Sequence, residues 1–175
     1  MGLDLSKSWE FGFNILSVYH NFKKNPHWGI NLGVSWGYRS FNIDGNYALL
    51  KDNGTCIFSA GNEDTSYNKS RQRHFFFRVP VLMEWQQRVG RNKVFFNAGP
   101  EFEIRHSVKS FSHINGGKKK TVGKGMYVQP VGINLLAQAG YGNIGIYLRY
   151  STYGLFQKDK GPEVSPYSFG VAWYL

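Results

Sequence analysis

WGINLGVSWGYR, residues 28–39, alternates without a break. Every second residue from Trp28 gives Trp28, Ile30, Leu32, Val34, Trp36 and Tyr38; between them stand Gly29, Asn31, Gly33, Ser35, Gly37 and Arg39. Successive side chains of a strand point to opposite faces, so one face is apolar with aromatic ends and the other is small and polar. The fold depends on which of these faces lies inside.

The same period of two recurs in 8–22, 74–87, 94–106, 126–141, 144–153 and 166–175. The apolar faces read Trp9, Phe11, Phe13, Ile15 and Tyr19; Phe75, Phe77, Val79, Val81, Met83 and Trp85; and Val94, Phe96, Ala98, Phe102 and Ile104. Further on they read Tyr127, Val131, Ile133, Leu135 and Tyr141; Ile144, Ile146, Leu148 and Tyr150; and Tyr167, Phe169, Val171, Trp173 and Leu175. This predicts seven strands of roughly ten residues or more, longer than the common five or six. No segment follows a 3.6-residue period. The connections alternate between short (23–27, 88–93, 142–143) and long (40–73, 107–125, 154–165), the arrangement of outer-membrane barrels. Within the first long loop, Asp52-Asn53-Gly54 predicts a hairpin projecting beyond the membrane, since Asn-Gly suits a type I′ turn.

Alternating strands fit a soluble lipocalin-like barrel with an apolar ligand cavity, or a membrane barrel with its apolar face on lipid. Three features favour the second. Aromatic residues Trp9, Tyr19, Trp28, Tyr38, Trp85, Tyr127, Tyr141 and Trp173 stand near the ends of apolar faces, as a lipid-interface girdle does. Ten tilted residues span about 25 Å, the height of the lipid-facing band. The opposite faces are rich in Gly and small polar residues, whereas a water-exposed face normally carries many Lys and Glu. Their charges also balance: Glu10, Glu84, Glu101 and Glu103 against Arg39, Arg78, Arg105 and Arg149. Such a set suits a lumen packed with bidentate ion pairs; eight solvated surface charges is the alternative.

Composition agrees. The 175 residues predict a single domain over 1–175, with 21 Gly, 17% aromatic and 18% charged residues. The slightly negative mean hydropathy and the lack of a long apolar run exclude a transmembrane helix but not a barrel. MGLDLSKSWE is no signal peptide, so removal of a signal is expected for an exported chain. The only cysteine, Cys56, is expected in a loop, without an internal disulfide or a Cys-based metal site. A net charge of +10 raises nucleic acid. The placement argues against it: segment 106–125 holds five Lys and no acid, and the rest are scattered. Lys118, Lys119 and Lys120 are candidates for contact with lipopolysaccharide phosphates or an acidic partner, with a solvated loop tip as the alternative. No metal or cofactor constellation stands out, and no catalytic residue is assigned. The nearest nucleophile–base set is His106, Ser107 and His113, but neighbours on a strand face opposite ways.

FFFRVPVLMEWQ and VFFNAGPEFEI, with Val79-Pro80-Val81 and Ala98-Gly99-Pro100, resemble the PorT-like outer-membrane β-barrel family of Bacteroidota. MYVQPVGINLLAQAGYG with IGIYLRYSTYGLF is similar to that family's next hairpin, and YSFGVAWYL to its closing strand. The resemblance implies an all-β, antiparallel, up-and-down transmembrane barrel of OmpX-like architecture with eight strands. One outward strand is therefore expected ahead of residue 8. The interior of an eight-stranded barrel is just wide enough for side chains, so with a balanced Arg/Glu set a non-enzymatic outer-membrane protein is expected, plugged by side chains and acting through its outer loops in surface interaction or an accessory role. A lipid-modifying outer-membrane enzyme and a soluble ligand-binding barrel are the other readings.

Overall fold

The computed structural model describes residues 3–62, 64–115, 117 and 119–174. Ten strands account for most of them: β1 (Leu3–Phe22), β2 (Asn25–Ile43), β3 (Tyr47–Asp52), β4 (Thr55–Ala60), β5 (Tyr67–Val89), β6 (Asn92–Ile114), β7 (Lys119–Lys124), β8 (Val131–Tyr141), β9 (Ile144–Ser151) and β10 (Tyr167–Trp173). Seven of them form one wall in the order β1-β2-β5-β6-β8-β9-β10, every pair antiparallel. These are the seven strands that the alternation marks. Strand β7 continues the ladder on β6 beyond the end of β8, and β3–β4 is a separate hairpin. Among the described residues no ladder joins β1 to β10.

The wall is inside out relative to a soluble protein. On its outer side Phe11, Ile146 and Val171 are 61%, 63% and 73% exposed, while Arg78, Glu101 and Glu103 on the inner side are 2%, 2% and 0% exposed. Residues 23–24, 90–91 and 142–143 make the short turns at one end; 44–66, 115–130 and 152–166 make the long connections at the other. The inner face is narrow, and glycines make room for rings. A Cβ on Gly37 would collide with the Phe76 ring, and the space over Gly132 is filled by the Tyr153 ring.

Several expectations are corrected. The long loops are shorter than 40–73 and 107–125, because β2 runs on to Ile43, β5 begins at Tyr67 and β6 ends at Ile114. The ladder continues past the apolar band while the outer face turns polar, so the apolar alternation stops before the strand does. Tyr127 lies outside β8, with φ +43°, half-buried under the long connections, with Lys51 Nζ 4.1 Å from its ring centroid. Cys56 sits in β4, not in a loop, and is buried.

The hairpin at Asp52–Thr55 is present, with Asn53 and Gly54 at φ +41° and +82°. It does not simply project. Leu49 and Cys56 pack with Phe41, Ile43, Met126, Val128, Leu155 and Phe156 into an apolar cluster at the long-loop end. Residues from all three long connections meet there, so the loops form a cap rather than separate arms. Burial holds the Cys56 thiol protonated by raising its pKa to about 11, and the thiol donates to the Met126 carbonyl at 2.9 Å.

Candidate functional site

Inward positions of five strands supply the charged residues in the interior. Glu10 comes from β1, Arg39 from β2, Arg78 from β5, Glu101, Glu103 and Arg105 from β6, and Arg149 from β9; β8 adds Asn134. Arg78 is central. Its Nε donates to Glu103 at 2.5 Å, and its Nη1 and Nη2 donate to the two Glu10 oxygens at 2.7 and 3.0 Å. Its guanidinium lies 3.6 Å from the Phe76 ring centroid. Arg149 grips Glu101 through Nε at 2.6 Å and Nη2 at 3.2 Å, and reaches Glu10 through Nη1 at 2.7 Å. Arg39 Nε donates to Glu10 at 2.6 Å, and Arg105 Nε to Glu103 at 2.6 Å.

Neutral donors complete the shell. Asn134 Nδ2 donates to Glu101 at 3.1 Å and to Glu103 at 3.3 Å, while its Oδ1 accepts from the Ser151 hydroxyl at 2.8 Å. The Tyr153 hydroxyl donates to Glu103 at 3.0 Å. Asn134, Ser151, Tyr153 and Phe76 are members that charge counting does not reveal. The signal for Asn134 is its place on the polar face of β8, between Gly132 and Leu136.

Glu84 is not in this network. It lies six residues from Arg78 along β5, about 20 Å toward the short-turn end. There it accepts from Asn31 Nδ2 at 3.2 Å, in a second polar zone with Gln86, Tyr19 and Asn21. The pairing is therefore three Glu against four Arg. Arg39 Nη1 and Arg105 Nη2 are buried without a hydrogen-bond partner.

The aromatic candidates divide by position. Trp9 and Tyr38 meet on the outer face toward the long-loop end, ring centroids 5.3 Å apart, with Phe75 beside Tyr38 at 5.1 Å. Trp28 and Trp85 are register partners near the short-turn end, where exposed Tyr141 and Trp173 also stand, each opposite Ile144. Tyr19 is turned inward. A bulge between Asn14 and Leu16 reverses the parity of β1, so Leu16 and Val18 face out, and Tyr19 pairs with inward Asn31. Its hydroxyl accepts from Gln86 Nε2 at 2.6 Å.

Of the basic run, Lys120 is exposed on β7; Lys118 and the side chain of Lys119 lie outside the described residues. His106 stacks on Phe75 and Phe77 on the outer face, at 5.7 and 5.5 Å. Ser107 occupies a β6 bulge at φ +53°, and His113 Nδ1 bonds to the Gly117 carbonyl at 2.9 Å. These three side chains form no hydrogen-bonded set among the described residues. No group of three or more His, Cys, Asp or Glu converges there either.

An antiparallel wall with apolar side chains outward, aromatic residues at both margins and ion pairs within defines a transmembrane β-barrel protein. In lipid every backbone group must be paired within the protein, which a barrel wall of ladders achieves. The family model described as outer membrane protein beta-barrel domain matches residues 4–158, and the chain belongs to that family. Its location is the bacterial outer membrane. Neither a comparison with curated proteins nor one with solved structures finds a match.

Proposed function

We propose that this protein is a small, non-enzymatic integral outer-membrane barrel with a plugged lumen, its long-loop end outward, acting through its basic outer surface. The observation that carries the reading is the filled interior. Guanidinium and carboxylate groups from facing strands meet at hydrogen-bond distance across the lumen, and the apolar cluster of Phe41, Leu49, Met126 and Leu155 lies beyond them. A barrel of about eight strands has an interior just wide enough for side chains. Resemblance to the PorT-like family of Bacteroidota and to an OmpX-like architecture supports the same reading. Surface attachment and accessory or assembly work are the roles open to such a protein. Planar-bilayer recording tests the plug: reconstituted protein is expected to give no steady conductance steps, and channels of defined size would overturn it.

A further inference from the structure

Above the aromatic margin of the wall, the outer face changes character abruptly. On β5 the outward residues run Phe77, Phe75, Arg73, Arg71, Lys69, while the inward residues of the same stretch, His74, Gln72 and Ser70, are buried. The cations thus continue the lipid-facing stripe and do not belong to the lumen. On β6 the bulge at Ser107 adds one residue opposite Arg73–Phe75. That shift puts Lys109, Phe111 and His113 on the outer side, opposite Arg73, Arg71 and the end of β5. Without the bulge, Val108 would take the outer place. A cavity of about 550 Å³ opens on this wall, lined by Lys7, Lys69, Arg71, Arg73, Phe111 and His113.

No ion pair among the described residues holds Lys69, Arg71 or Arg73. The Arg73 guanidinium lies 5.2 Å from the Phe111 ring centroid, which supports its plane, and among the described residues its buried Nε has no hydrogen-bond partner. Among the described residues Asp44 is the one acid on the cavity wall, and its Oδ1 accepts the Gly45 N–H at 2.9 Å. Asn42 adds a neutral amide. Height decides the ligand. Arg73 is two residues above Phe75 and Lys69 six, about 5 and 15 Å along the membrane normal for a tilted strand. That interval begins at the aromatic belt and covers the headgroup layer, where lipid phosphates lie. Arginine forks suit phosphate, and basic pockets at that depth bind phosphorylated headgroups.

We propose that the cavity on the outer wall between β1, β2, β5 and β6 binds the phosphates of an outer-leaflet glycolipid. The proposal rests on the transmembrane reading with the long-loop end outward. It is distinct from the Lys118–Lys120 run, because its residues are fixed on the wall itself.

The test uses the whole chain folded in detergent micelles, with diphosphoryl lipid A as probe and binding read by native mass spectrometry. Fully dephosphorylated lipid A and inorganic pyrophosphate are the comparison ligands. Wild type is expected to bind the diphosphoryl lipid more than tenfold tighter than the dephosphorylated one. Arg71→Gln/Arg73→Gln is expected to lose roughly thirtyfold, as the removal of two surface cations predicts. Lys23→Gln/Lys24→Gln, an equal charge loss at the short-turn end, is expected to change affinity less than about twofold. Pyrophosphate at equal concentration is expected not to compete. Equal binding of both lipids, an unchanged Arg71→Gln/Arg73→Gln variant, or full competition by pyrophosphate would overturn the proposal. Heat-modified gel mobility separates the two layers: a protein that inserts but ignores the phosphates loses only this site, while one that never inserts loses the transmembrane reading as well.

Discussion

Glu103 and Arg105 stand two residues apart on β6 and bond to each other, yet their removal should not cost the same. Among the described residues the interior network holds three carboxylates and four guanidiniums, so it carries an excess positive charge there. Neutralising a carboxylate enlarges that excess, whereas neutralising Arg105 brings the count to three against three. Removing one partner of a buried pair leaves an uncompensated charge and costs about 3–5 kcal/mol. Glu103→Gln is therefore expected to lose stability in that range, and Arg105→Met distinctly less, in urea unfolding of the vesicle-inserted protein. Equal losses, or the reverse order, would show that the excess charge is balanced by other means. The seven charged members, among eight candidates, were legible because Arg and Glu on a small-residue face are conspicuous, whereas Asn134, Ser151 and Tyr153 were not. Glu84 shares the face but not the height, and parity reports only the face. Its bond to Asn31 would look the same in the sequence as an ion pair.

At the scale of the element, two bulges decide what the alternation means. One, between Asn14 and Leu16, turns Tyr19 inward; the other, at Ser107, turns Lys109 and Phe111 outward. A bulge shifts every later residue to the other face; here the apolar residues pass from Phe13 and Ile15 to Leu16 and Val18, but Tyr19 keeps the odd-numbered pattern going and masks the change. The β3–β4 hairpin was legible from Asn53-Gly54, but its packing was not. The cap draws residues from three separate connections, and such a cluster has no sequence period. Its integrity can be read through Cys56. Because burial raises the thiol pKa to about 11, the nucleophilic thiolate is scarce at pH 8 and forms only as the pH approaches that value. Slow maleimide labelling is expected at pH 8. Leu49→Ala removes a buried side chain from the same cluster, at a cost of about 2–5 kcal/mol. Labelling of Cys56 should then accelerate strongly while heat-modified mobility, a property of the wall, stays unchanged. Unaltered labelling would mean that Leu49 does not hold the cap shut.

The whole molecule poses a question of direction. Seven strands joined by antiparallel ladders leave the first and last, β1 and β10, running the same way. Direct closure would need a parallel ladder. A strand of opposite direction standing between them would pair antiparallel with both edges, in keeping with the even counts of bacterial barrels. The seam has room: a cavity of about 480 Å³ is lined by Ser8, Trp9 and Glu10 on one side and Tyr167 to Val171 on the other. The chemistry of a strand that fits it follows from its neighbours. Trp9 and Phe11 on one edge and Phe169 and Val171 on the other ask for apolar residues outward, while Gly12 and Gly170 ask for small ones inward. Neighbouring strands lie about 4.8 Å apart, so edges separated by one strand stand about 10 Å apart. That exceeds the roughly 7 Å beyond which two cysteines cannot be bridged. In variants with Cys56 replaced by Ser, Trp9→Cys combined in turn with Tyr167→Cys, Phe169→Cys and Val171→Cys is expected to give no disulfide under copper–phenanthroline oxidation. Phe11→Cys/Tyr38→Cys, register partners on β1 and β2, should cross-link readily in the same membranes. A disulfide from Trp9→Cys to β10 would place the two edges in direct contact and make the parallel closure, not an intervening strand, the way this wall ends.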